Sequence, residues 1–100
     1  MAYDAGTFDA TLAAAADGDT ALMAELRQVF AESVERQIDL LARARCDGNW
    51  HMAAMRLRGL AASFYAEDLL ELAEEALNFA PGEPGIIRRL RVYAKDISPD

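Results

Sequence analysis

The sequence predicts an all-α fold, drawn as an antiparallel up-and-down four-helix bundle with a short extra N-terminal helix. Three observations carry that expectation. Alanine and leucine dominate while β-branched residues are sparse, a composition that favours helix over sheet. Apolar residues recur at three- and four-residue spacings, the period of one face of a helix. The periodic stretches are separated by "DGD" at 17–19, "CDGN" at 46–49 and "PGEPG" at 81–85, the chemistry of helix ends and turns. Short connections of this kind make neighbouring helices antiparallel. No strand pattern competes.

The first helix is expected over residues 7–16 and is short and alanine-rich. The second, over 20–45, carries Leu22, Leu26, Val29, Phe30, Ser33, Gln37, Leu40, Leu41 and Ala44 as its periodic side. Asp19 stands before it, where a carboxylate accepts from the free N–H groups of the first turn. The third spans about 50–65, capped by Asp47 or Asn49. With Leu57 at zero on a wheel of about 100° per residue, Trp50, Ala53, Ala54, Leu60, Ala61 and Phe64 fall within about 60° of it. That is a complete core stripe.

The fourth helix, over 66–79, sets Leu69, Leu70, Leu72, Ala73, Ala76 and Leu77 against acids at Glu67, Asp68, Glu71, Glu74 and Glu75. Pro84 opens the fifth, whose apolar side is Ile86, Ile87, Leu90 and Tyr93. Its cations Arg88, Arg89, Arg91 and Lys95 run toward the C-terminus, where the helix dipole favours them.

One hundred residues form one domain, 1–100, with a single modest core. The lone Cys46 cannot close an internal disulfide, which suits a reducing compartment, and it is expected as a buried or half-buried packing residue. The opening stretch has neither the basic start nor the long apolar run of a secretory signal, and no window reaches membrane-spanning length. A soluble, cytoplasmic protein with no membrane partner is expected.

The net charge of −7 argues against nucleic acid as a partner. The basic stretch "IIRRLRVYAK" is more simply balanced by the acids between Glu67 and Glu75. With one histidine and one cysteine there is no metal site, and no cofactor is implied. No nucleophile–base pair, phosphate loop or carboxylate dyad is evident, so the chain is expected not to be an enzyme.

The outward face of the third helix is unusual. On the same wheel Met55 falls at about 160° and Gly59 at about 200°, opposite the core. Arg58, His51 and Ala62 lie at about 100–140°, and Met52, Ser63 and Arg56 on the other flank. Gly59 costs the helix roughly 1 kcal/mol relative to alanine. Either something bulky approaches the backbone there, or the glycine is a tolerated surface residue or a contact with another helix.

The stretch "MRLRGLAASFYAEDLL" resembles the signature of histidine-containing phosphotransfer (HPt) domains of two-component phosphorelays. That family shows a histidine, any residue, an apolar residue, a basic residue and a glycine, followed by small residues and a leucine-bearing helix. Here the corresponding positions are Met55, Arg56, Leu57, Arg58 and Gly59, then Ala61, Ala62 and Ser63, with Leu69 and Leu72 in the next helix. The upstream stretch from 13 to 44 is similar to the family's short first helix, turn and long second helix, so the likeness covers at least 12–77.

The resemblance implies a helical bundle that meets a response-regulator receiver domain or a histidine kinase. It implies Arg58 as the cation near a phosphoryl group, where lysine is commoner, and Gly59 as the spacer. Met55 departs from the pattern, because a thioether carries no phosphate. Tyr65 stands where the family often has a small residue, and the connection from "CDGN" to Met55 is short by about one turn.

Three readings follow. The first is a degenerate HPt-like module that docks its partner through Met52, Met55, Arg56, Arg58, Gly59, Ala62 and Ser63 without relaying phosphate. The second is an active phosphocarrier using His51, one turn before Met55, against the reading of His51 as an ordinary surface histidine. The third is a structural or self-associating bundle, a homodimer included.

Overall fold

A computed structural model describes residues 6–98. Over that range the chain is helical throughout its regular structure: α1 (Gly6–Ala16), α2 (Thr20–Arg43), α3 (Asp47–Ser63), α4 (Glu67–Ala76) and α5 (Pro84–Ile97). No strand occurs among the described residues. Residues 1–5, on which part of the signal-peptide expectation rests, lie outside them.

The starts of α2 and α5 have local causes. Asp19 caps α2 as expected, its carboxylate accepting from the N–H groups of Ala21 and Leu22 at 3.0 and 3.1 Å. The turn before it uses two left-handed residues, Asp17 and Gly18, the second at φ +79° where glycine is at ease. Glu83 caps α5 by accepting from Gly85 N–H at 2.8 Å, and Pro84 takes the first helical position, where its missing N–H is no loss.

Three expectations are corrected here. The third helix starts three residues earlier than its periodicity suggested, so Asp47 and Asn49 lie inside its first turn. Cys46 occupies the cap position with no side-chain bond to the helix. The acid at Asp47 instead suits the positive end of the helix dipole. The short connection is thereby explained: most of "CDGN" is helix. Cys46 is exposed rather than packed, because the α2–α3 linker runs over the surface.

The third correction concerns α2. Its buried side is Phe30, Ala31, Val34, Ile38 and Leu41, with Met23 and Leu26 partly buried against it. Val29 is 59% exposed, and Leu22 and Leu40 also face water. These three lie about 120–140° around the helix from Val34. The apolar periodicity of α2 therefore belongs to two faces, of which one is core.

Helix α2 packs against α1, α3 and α5, while α3 packs against α4 and α4 against α5. At 24 residues, α2 is about 36 Å long and sets the 43 Å long axis of the molecule. The core joins Phe8 and Leu12 of α1 to Phe30 and Ile38 of α2, Trp50 and Leu57 of α3, Leu69 of α4, and Ile86 and Leu90 of α5. The Phe8 and Phe30 rings are 4.9 Å apart and those of Phe30 and Phe64 are 4.7 Å apart, so one aromatic column ties α1, α2 and α3 together. No charged side chain is fully buried among the described residues, and the buried indole N–H of Trp50 has a partner.

Candidate functional site

Helix α3 is oriented by its core stripe, and the opposite face follows. Trp50, Ala53, Ala54, Leu57 and Ala61 are buried. Leu60 and Phe64 flank them, partly buried. Leu57 is 0% exposed while Met55 is 37% exposed and Met52 is 50% exposed. Met55 thus projects outward, on the side the wheel assigns it.

His51 is exposed as well, about 6 Å before Met55 in the direction of the helix axis. It lies beyond the first turn, since the Trp50 N–H already donates to the Cys46 carbonyl at 3.1 Å. The free N–H groups of this helix end therefore belong to residues before His51.

Gly59 is exposed, and a Cβ added there would meet nothing within 4 Å. No helix of the fold demands a glycine at this position, which removes the reading of Gly59 as a helix–helix contact. Arg56 is exposed and Arg58 half-buried; among the described residues neither forms an ion pair. By contrast Arg27 pairs with Asp9, Arg43 and Arg91 with Asp39, and Arg89 with Glu75. The last two are the balance expected for the basic helix, although Asp39 of α2 shares it with the acids of α4.

The structure divides the predicted site into two flanks. Arg56, Gly59 and Ser63 line a groove of about 450 Å³ together with Ser33, Arg36 and Gln37 of α2. Met52 and Arg56 line a second groove, of about 350 Å³, with Leu40 and Arg43 of α2. Arg58, His51 and Ala62 line neither groove. Met55 lines neither groove and lies between the two flanks on the helix wheel.

Sequence reasoning missed the contribution of α2. Leu40, Gln37 and Ser33 belong to the periodic side of α2, and Arg36 lies outside that pattern. The available signal was that the α2 periodicity is too wide for one core face.

A different cleft, of about 880 Å³, lies between α4 and α5, where Glu71, Glu74 and Asp96 face Arg88 and Arg89 across Val92 and Tyr93. With Asp68 and Glu75 also in its lining the cleft is net acidic, and Arg89 is held by Glu75 at 2.5 Å. Among the described residues no three His, Cys, Asp or Glu side chains gather as metal ligands, and no helix is long and apolar enough to cross a membrane. Searches of family models, of curated proteins and of solved structures give no match to this chain.

Proposed function

We propose that this chain is an HPt-like signalling module of a two-component phosphorelay, one that docks a receiver domain or histidine kinase without carrying phosphate. The observation behind this reading is the outward Met55, set between Arg56, Arg58 and an open Gly59, with Leu57 fully buried behind it. An acceptor imidazole in such a seat would face solvent from a rigid helix, as transfer to a partner requires. A thioether there retains the surface and removes the chemistry.

The mutual packing of α2, α3, α4 and α5, with α1 laid on α2, supports the finer architecture: an antiparallel up-and-down four-helix bundle with a short extra N-terminal helix. The exposed apolar residues Val29 and Leu40 of α2 and Met52 and Met55 of α3 support a contact surface rather than a solvated one. The runner-up readings remain an active carrier using His51 and a self-associating bundle.

The test is a phosphotransfer and binding assay with a phosphorylated receiver domain and an autophosphorylating kinase. The expected result is saturable binding with no acid-labile label on the chain, and a gain of label in Met55→His. Label on the unmodified chain that vanishes in His51→Ala would replace this reading with the active carrier. Stable self-association through the Met52–Met55 face, indifferent to receiver domains, would replace it with the structural bundle.

A further inference from the structure

The geometry points to a binding site for a phosphate monoester group in the groove between α2 and α3, held by Arg36 and Arg56. This inference shares Arg56, Gly59 and Ser63 with the proposed docking surface but needs no phosphorelay partner, and it places the ligand on the flank away from His51 and Arg58. Three features of the groove support it.

The first is unspent positive charge. In a chain where acids outnumber bases by 17 to 10, Arg36 and Arg56 are both without an ion pair among the described residues. Arg36 also borders the cleft toward α5 that holds Glu32, Glu35 and Asp39, yet none of these carboxylates comes within ion-pair distance of it. Two guanidinium groups lining one groove from opposite helices suit a dianion with oxygens on several sides, because each offers a planar fork of donors.

The second is a set of neutral polar groups that lack partners of their own. The Gln37 side-chain oxygen is buried without any hydrogen bond. Nothing holds that amide in one orientation, so rotation can offer its NH2 group to an acceptor. Ser33 and Ser63 add hydroxyls from the two walls. The orphaned oxygen is itself an acceptor, so Gln37 serves an oxyanion only through that rotation, by its NH2 group.

The third is room at the backbone. Gly59 lines the groove, and the space where its Cβ would stand is empty to 4 Å. Leu60 and Phe64 supply an apolar side, which favours an ester carrying an organic group over the bare ion.

The experiment is a titration of the 15N-labelled full chain at constant ionic strength, read by the amide signals of Gly59 and Ser63 and by the Gln37 side-chain NH2. Inorganic phosphate, phenyl phosphate and glucose 6-phosphate are the probes, with acetate as the control anion. The two esters distinguish an aromatic-bearing source from a sugar-bearing one. Saturable shifts confined to these signals are expected, with phosphate itself binding on the order of 1–10 mM. Arg36→Gln and Arg56→Gln should each weaken binding about tenfold, the size of one charge-assisted contact.

Arg88→Gln, in the α4–α5 cleft, should change nothing. Gly59→Ala separates binding from folding: its methyl group enters open space, so the fold survives while the site narrows and binding falls. Equal binding of acetate, shifts spread over every arginine, or full affinity in Arg56→Gln would overturn the proposal.

Discussion

The indole N–H of Trp50 donates to the Ala76 carbonyl oxygen at 2.7 Å, a buried bond that ties the first turn of α3 to the last residue of α4. The same carbonyl accepts from the Phe79 N–H at 3.1 Å. A helix end leaves its last carbonyls without partners, and here a side chain from the neighbouring helix supplies one. The bond acts with the buried stripe of α3, which turns Met55 outward.

Trp50→Phe should therefore destabilise the fold by about 2 kcal/mol, combining a lost buried hydrogen bond with lost apolar area. Denaturant unfolding followed by circular dichroism measures this, since Trp50 is the only tryptophan and its fluorescence goes with it. A loss under about 0.5 kcal/mol would show that the bond does not matter to the packing.

Leu57→Ala and Met55→Ala test the orientation of α3 directly. The fully buried Leu57 should cost about 3 kcal/mol when truncated, and the exposed Met55 within about 0.5 kcal/mol. The reverse ranking in thermal unfolding would mean that the helix faces the other way.

Tyr65 ends α3 at φ +54°, the left-handed position that glycine usually takes. The Ala66 N–H donates to the Ala61 carbonyl at 2.8 Å across it, the bond pattern that requires this conformation. A bulky residue there costs about 1–2 kcal/mol, and the ring is 64% exposed, so it returns little packing. Tyr65→Gly should accordingly raise stability by about 1 kcal/mol, visible as a Tm increase of about 4–8 °C. An unchanged or lower Tm would mean that the tyrosine ring makes up the difference.

At α1, two interactions of very different size hold the helix to α2. Arg27 reaches Asp9 at 2.5 Å and lies 5.2 Å from the centre of the Phe8 ring, while Phe8 itself is buried against Phe30. Asp9→Asn should cost under about 1 kcal/mol, because the pair is partly exposed and screened by salt. Phe8→Ala should cost about 3–5 kcal/mol. Similar losses for the two variants, read from unfolding curves at low and high salt, would contradict this ranking.

Much of this protein was legible along the chain because helix periodicity and end signals are local. The five helices, the Asp19 cap, the Pro84 start and the α3 stripe opposite Met55 all follow from residues within a few turns of one another. Tertiary structure alone decided which side of α2 is core, since α2 carries apolar residues on two faces and only one of them meets its neighbours. It alone brought Ser33, Arg36 and Gln37 beside Arg56, Gly59 and Ser63, and left Cys46 in water. Periodicity gives an angle about a helix's own axis; where its neighbours stand is set by packing between segments distant in sequence.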